Sequence, residues 1–156
     1  MKLIEVGEAE VRPFLEEMYR IVCATTAKYG VRGGTLVEWE AFVPSRMREG
    51  RRVMIFSEKG KTVGFFMYEL TDDALVVNEL HVAEKVRARY LWLRMPANSL
   101  KERLPPEIVR VRAGTNRRNG TVLHIAGRLG LSVSACGENH LALEGDLHPV
   151  LRRIAP

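Results

Sequence analysis

Three consecutive β-strand patterns occupy the middle of the chain, and they constrain the fold more than any other feature of the sequence. Residues 52–57, 62–69 and 74–82 are rich in β-branched, aromatic and other apolar side chains, which is typical of strands that pack on a core. Short turns separate the strands, one over 58–61 that contains a glycine and one over 71–73. The pattern therefore predicts a three-stranded antiparallel meander.

Before the meander, the sequence predicts a short strand followed by two helices. The strand covers 2–6, and apolar residues three and four apart over 8–29 indicate an amphipathic helix. Gly30 is expected to stop this helix. A shorter helix is predicted over 35–47, and we expect Pro44 to bend or end it.

After the meander, helical and strand patterns alternate. The predicted elements are a helix over 85–104 that is broken at Pro96, a strand over 107–113, a helix from Asn116 or Asn119 to Leu129 with Gly130 as its stop, and a hairpin of 131–136 with 140–144. The order β-α-α-β-β-β-α-β-α-β-β predicts an α+β fold with a mixed, mainly antiparallel sheet. We expect one domain over 1–156, with 146–156 as a C-terminal tail that forms one loose helical turn or frays.

Composition excludes several classes of protein. No apolar run approaches the roughly 20 residues of a membrane-spanning helix, and residues 1–11 become acidic too early for a signal peptide. We therefore expect a cytoplasmic protein that does not act at a membrane. Cys23 and Cys136 lack metal-type spacing, and the four histidines show no HxxxH or HxxE pattern. The sequence thus favours free thiols and predicts no metal site.

Positive charge is concentrated in one segment. Residues 84–118 contain ten Lys or Arg and three acids, for a net charge of +7, whereas the rest of the chain carries −2. Such a segment suggests an anionic partner: a nucleotide, a phosphorylated cofactor or nucleic acid. A solvated basic surface that only keeps the protein soluble is the alternative.

Two motifs separated by one predicted strand give the charge a context. The first is NELHVAEKVRARYLW, residues 78–92, and the second is NGTVLHIAGRLGL, residues 119–131. Together they resemble the strand-loop-helix and the later helix of the GNAT superfamily, the acetyl-coenzyme A-dependent N-acetyltransferases. The resemblance implies a three-layer α/β/α sandwich. It also implies acetyl-CoA or another acyl-CoA as co-substrate, an amine as acceptor, and a possible homodimer.

The resemblance also assigns roles to residues. Glu79 matches a strand carboxylate that several family members use as the base that deprotonates the amine. The backbone of residues 80–82 would hydrogen-bond the pantetheine arm, and 87–92 would hold the pyrophosphate at a helix N-terminus. The implied cofactor-binding residues are Leu80, His81, Val82, Arg87, Ala88, Arg89, Tyr90, Leu91, Trp92 and Asn119.

The sequence departs from the family pattern at two places. Ala88, Tyr90 and Trp92 stand where glycines or other small residues are expected, although all three can adopt helical dihedral angles. The tyrosine that many family members use as general acid falls on Ala126, which leaves that role to Tyr90 or to water. Whether the two rings turn outward or close the site decides whether coenzyme A can bind.

Other interpretations stay open for the same residues. The domain could have lost catalysis and act as a binding or assembly module, or the basic segment could bind nucleic acid. Glu79 could be an ordinary strand carboxylate and Asn119 only a helix cap. Trp39 and Trp92 are expected to be packing residues.

Overall fold

The computed structural model describes residues 1–30, 34–88 and 90–156. It confirms the predicted α+β class: a mixed seven-stranded sheet with helices at its sides. The strands are β1 (Lys2–Val6), β2 (Arg52–Glu58), β3 (Lys61–Leu70), β4 (Ala74–Val82), β5 (Arg110–Asn116), β6 (Ser132–Cys136) and β7 (His140–Asp146). The helices are α1 (Leu15–Thr26), α2 (Leu36–Arg48), α3 (Glu84–Arg87), α4 (Leu91–Arg103), α5 (Gly120–Leu129) and α6 (Leu147–Ile154).

The strand order in the sheet is β1-β2-β3-β4-β5-β7-β6. The predicted meander is present as β2, β3 and β4. A parallel pair follows it, with Ala74–Val77 of β4 opposite Arg110–Ala113 of β5. Two parallel strands need a crossover connection, and the chain supplies it with α3 and α4. The helix-rich segment after the meander is therefore a requirement of the topology.

The chain forms two compact units, and the first contains residues 1–68 and 79–92. Its core lies among β2, β3, α1 and α2, with strands that are apolar on both faces. Lys59 (φ 51°) and Gly60 (φ 76°) both adopt the left-handed conformation in the turn between β2 and β3, as the tightest hairpin turns require. The core residues are Val6, Val11, Leu15, Met18, Val43, Val53, Ile55, Phe65 and Met67.

Both N-terminal helices differ in detail from the sequence prediction. The segment around Pro13 forms 3₁₀ turns, so the α-helix begins only at Leu15. Thr35 caps α2 through a capping box with Glu38. The prediction that Pro44 could end this helix is wrong, since α2 continues to Arg48. Proline removes one backbone hydrogen bond, and the carbonyl left without it belongs to the exposed Glu40, where water can replace the partner.

The second unit contains residues 69–78 and 93–156, with β5, β7 and β6 side by side. Asn119 caps α5, and Gly130 ends it with a φ of 89°, as predicted. The tail does not fray: where one loose helical turn was the alternative, α6 is a two-turn helix. Its apolar residues Leu147, Val150 and Leu151 lie three and four positions apart and are buried, so their burial holds the end of the chain in place.

The predicted helix over 85–104 is two helices, and the break does not fall at Pro96. The proline lies inside α4, whereas α3 ends at Arg87 and α4 begins at Leu91. Tyr90 is left-handed there, with a φ of 50°. Tyr90 can adopt helical dihedral angles, but it does not adopt them here. The short α3 ends at Arg87 and has Ala88 as its C-cap, and the left-handed Tyr90 immediately precedes α4.

Candidate functional site

Three side chains, those of Thr25, His81 and Glu79, form a hydrogen-bonded chain at the end of β4. Residues of a strand alternate between faces, so Glu79 and His81 lie on the same face. The Nε2 atom of His81 is 2.7 Å from Oε2 of Glu79, and its Nδ1 atom is 2.6 Å from the hydroxyl of Thr25 on α1. The histidine side chain is 15% exposed and that of Glu79 31%. A carboxylate held on one side and accessible on the other is suited to accept a proton.

Aromatic packing supports this chain from below. The ring centroids of Phe65 on β3 and His81 are 5.4 Å apart, and those of Trp39 on α2 and Phe65 are 5.9 Å apart. Phe65 is completely buried, so His81 rests on the core of the first unit. Because Phe65 packs against the His81 ring itself, it does not block the hydrogen bonds of the two ring nitrogens to Thr25 and Glu79.

Gly64 sets the spacing between β3 and β4 at this point, and sequence analysis missed it. A Cβ atom on Gly64 would lie 2.7 Å from the carbonyl oxygen of His81 and 2.7 Å from a methyl group of Val82. Only glycine allows this approach without displacing β4. The signal was present in the sequence as a single glycine inside an otherwise bulky strand.

A basic cavity of about 330 Å³ adjoins Thr25. Its walls come from α1, from the 3₁₀ turn that follows α1, and from Ala83 and α3. They carry three cations and one acid: Arg20, Lys28, Arg87 and Glu84. The Arg20 guanidinium binds Glu16 and Glu17, whereas Arg87 has no ion-pair partner among the described residues. The predicted cofactor-binding residue Arg87 thus lies in a cavity whose charge favours an anion.

The two aromatic residues of the predicted pyrophosphate segment point in different directions. Tyr90 is 56% exposed. Trp92 is buried, and its indole N–H donates to the carbonyl oxygen of Arg87 at 3.0 Å, which confirms its role in packing. Ala88 is the C-cap of α3. Leu91 is the first residue of α4, and its side chain is partly exposed. The predicted residue Arg89 lies outside the described residues.

The other predicted cofactor-binding residues lie on β4 and α5. Leu80 and His81 are half-buried and Val82 is buried near the end of β4, beyond the register that β4 shares with β5. Asn119 accepts a hydrogen bond from the backbone N–H of Val122 at 3.2 Å. It is therefore a helix cap, and its contact with a cofactor stays a prediction.

Part of the basic segment is neutralised within the second unit. Arg110 and Arg112 on β5 form ion pairs with Glu144, and Arg110 also binds Asp146. The hydrogen bond from Arg110 is the main cause that lowers the pKa of Glu144 below its ordinary value. These arginines are engaged in internal ion pairs, which weakens the interpretation of 84–118 as a nucleic-acid surface.

The described part of the chain contains no group of three or more His, Cys, Asp or Glu side chains placed to hold a metal ion. None of its helices combines the length and the apolar character needed to span a bilayer.

Comparison with known proteins identifies the fold. No family model matches the sequence, and no curated protein matches it. Solved structures do match. The N-acetyltransferase PaiA from Thermoplasma acidophilum, in complex with coenzyme A, has a TM-score of 0.72 at 11% identity, covering 93% of this chain and 98% of that one.

Two other structures agree with it. An acetyltransferase from Thermus thermophilus has a TM-score of 0.75 at 16% identity, over 94% of this chain and 97% of its own. The ribosomal-protein-alanine N-acetyltransferase from Brucella melitensis has a TM-score of 0.66 at 16% identity, over 94% and 99%. The chain therefore has the GNAT acetyltransferase fold over almost its whole length, which confirms the resemblance at the level of fold.

Proposed function

We propose that this protein is an N-acyltransferase that transfers an acetyl or other acyl group from coenzyme A to an amine. The observation that carries the proposal is the position of Glu79. Glu79 lies on a strand of a GNAT fold, and its Oε2 atom is hydrogen-bonded to His81. No described residue donates a hydrogen bond to its other carboxylate oxygen, Oε1. Bound acyl-CoA supplies an activated thioester, and Glu79 accepts the proton that the amine loses.

The basic cavity supports the same proposal. Coenzyme A carries a pyrophosphate and a 3′-phosphate, and Arg87 and Lys28 provide positive charge beside the β4–α3 connection. Tyr90 projects into solvent and Trp92 into the protein interior. The backbone of Leu80, His81 and Val82 is proposed to bind the pantetheine arm, as the family resemblance implies.

Calorimetric titration with acetyl-CoA tests binding, and release of free thiol in the presence of a panel of amines tests transfer. The Glu79→Gln variant should bind acetyl-CoA as the wild type does. Its kcat should fall by about 10²- to 10⁴-fold, the usual contribution of a general base. The matched control is Glu107→Gln, which neutralises an exposed carboxylate outside β4 and should leave kcat unchanged. Absence of acetyl-CoA binding at millimolar concentration would remove the proposal.

A second candidate is a domain that binds acyl-CoA without transferring the acyl group. The specific observation behind it is the interrupted helix: α3 is a single turn, and the left-handed Tyr90 separates it from α4. Ala126 also offers no acid for the leaving thiolate. Binding of acetyl-CoA with no thiol release for any amine, in wild type and Glu79→Gln alike, would support this alternative.

A further inference from the structure

We infer that Thr25 and His81 are positioning residues for Glu79: the carboxylate fixes the His81 tautomer that donates to it from Nε2, and Thr25 holds the ring by donating to the bare Nδ1. This inference rests on the proposed function, because it concerns how the proposed base is held. The side chains come from different parts of the chain: Thr25 lies near the end of α1, and the other two lie on β4. No sequence motif connects them.

The geometry places Glu79 at the reactive end of the hydrogen-bonded chain. Both ring nitrogens of His81 are engaged, at 2.6 Å to Thr25 and at 2.7 Å to Glu79. The ring is therefore not free to meet an acceptor. Glu79 is twice as exposed as His81, and its Oε1 atom has no described hydrogen-bond donor.

The single hydroxyl proton of Thr25 has three neighbours. The Oγ1 atom lies 2.9 Å from the carbonyl oxygen of Ile21, 3.1 Å from that of Val22, and 2.6 Å from Nδ1 of His81. The carbonyls can only accept. If the proton points to a carbonyl, Nδ1 must donate to Oγ1, and if it points to Nδ1, the ring accepts there.

These two arrangements have different consequences at Glu79. When Thr25 donates to Nδ1, a neutral ring carries its proton on Nε2 and donates it to the carboxylate. When Nδ1 is the donor, a neutral ring would turn a lone pair towards the carboxylate oxygen 2.7 Å away, which is repulsive. That arrangement requires an additional proton between Nε2 and Oε2. For an ionised Glu79 that acts as a base, the structure therefore assigns the first arrangement.

The groups around the ring agree with this assignment. The element α1 contributes the uncharged Thr25, β3 contributes the ring of Phe65, and β4 contributes Glu79. The charged residues Arg20, Lys28, Glu84 and Arg87 line the cavity beyond Thr25. Among the described contacts, Glu79 is the one charged group that binds the imidazole.

The proton balance of the reaction is simple. The amine nitrogen forms a bond to the acyl carbon and loses one proton to Oε1 of Glu79. The carbon–sulfur bond breaks, and the sulfur keeps the electron pair and gains one proton from solvent. Release of the proton from Glu79 to solvent restores the starting state, and His81 keeps its Nε2 proton throughout.

A matched pair of variants tests the inference without any substrate. Thr25→Val removes the hydroxyl that faces His81. Thr26→Val, on the next residue of the same helix, removes a hydroxyl that donates to the carbonyl of Val22, at 2.8 Å, and has no other hydrogen bond among the described residues. Nitrogen-15 NMR of the histidine rings at pH 8.5 distinguishes protonated from bare ring nitrogens, and a His81→Gln spectrum assigns the signals.

The wild type should show a neutral His81 ring protonated on Nε2. Thr25→Val should leave the proton on Nε2 but shift the Nδ1 signal towards that of a bare nitrogen without a hydrogen bond, and Thr26→Val should leave both signals unchanged. Identical His81 signals in both valine variants would overturn the inference. A wild-type ring protonated on Nδ1 alone, or on both nitrogens, would overturn it too.

Kinetics add a readout that a merely structural role would not change. With an amine found by the panel, Thr25→Val should lower kcat about tenfold and leave KM for acetyl-CoA unchanged. His81→Gln, whose amide can still donate to the carboxylate, should retain more activity than His81→Ala. Equal losses in these two variants would overturn the positioning role. Failure of acetyl-CoA to bind would instead remove the proposed function, whereas the NMR comparison would keep its own outcome.

Discussion

The strand pair β2–β3 of the first unit and the pair β5–β7 of the second are built by different physical means. Residues 53–56 of β2 have no exposed surface, and 63–68 of β3 form another continuous buried run. In contrast, β5 alternates. Val111 and Thr115 are buried on one face, whereas Arg110 and Arg112 lie on the other, directly opposite Asp146 and Glu144 of β7.

The difference shows which polar residues call for a functional explanation. Across β5–β7, opposite charges meet in the regular cross-strand register and in contact with water, so their pairing explains them as structural. Beside the sealed β2–β3 pair, the polar side chains of Thr25, His81 and Glu79 form a chain that ends at a partly exposed carboxylate. Structural pairing does not explain why Glu79 leaves one carboxylate oxygen without a described hydrogen-bond donor.

The largest effect is expected from the sealed pair. Phe65→Ala should lower the free energy of unfolding by about 3–5 kcal/mol, because it leaves a cavity among fully buried side chains. Val133→Ala on β6, where the valine is 49% exposed, should change it by less than about 0.5 kcal/mol. Denaturant unfolding measures both. A loss below about 1 kcal/mol for Phe65→Ala would mean that the β2–β3 pair is not the rigid support described.

Two glycine variants should act in opposite directions. Gly64→Ala places a methyl group 2.7 Å from backbone and side-chain atoms of β4, and overpacking of this kind costs about 1–3 kcal/mol. Gly127→Ala lies inside α5, with no atom within 4 Å of the new methyl group. It should stabilise the protein by about 0.5–1 kcal/mol, because alanine favours the helix. Thermal unfolding of the two variants gives the signs, and equal signs would contradict the contrast in packing.

The smallest effect concerns the ion pairs of β5–β7. Arg110, with Arg112, lowers the pKa of Glu144 below its ordinary value near 4.5. A carboxyl whose pKa is lower in the folded state stabilises the protein above its unfolded-state pKa, and this contribution is lost as the pH falls through the folded-state pKa. Glu144→Gln should therefore have a slightly lower Tm than the wild type at pH 7. This difference in Tm should become smaller as the pH falls below about 4.5.

The control for that prediction is Glu16→Gln on α1, which breaks a salt bridge whose side chains are 59–63% exposed. Because such an exposed pair contributes little, its Tm should follow the wild type at every pH. A Tm difference between Glu144→Gln and wild type that does not depend on pH would show that the loss comes from packing, not from charge.

Local patterns predicted most of the elements because their causes are local. The predicted helix stops at Gly30 and Gly130 are left-handed, as expected, and the alternation of a strand is enough to place Glu79 and His81 on one face of β4. The break before α4 was assigned to Pro96 on local grounds, yet it occurs at Tyr90. Packing accounts for the position of the break. Trp92 is buried, and its indole N–H donates to the carbonyl oxygen of Arg87, five positions earlier.

The sequence by itself determined the order of the elements, the strand that carries the carboxylate, and the resemblance to the GNAT fold, because periodicity and short motifs are properties of neighbouring residues. Only the tertiary structure decided which way Tyr90 and Trp92 face, that the end of the chain forms α6, and that Thr25 meets His81 from 56 positions away. A hydrogen bond between residues so far apart depends on the packing of α1 beside β4. No local pattern in the chain records that packing.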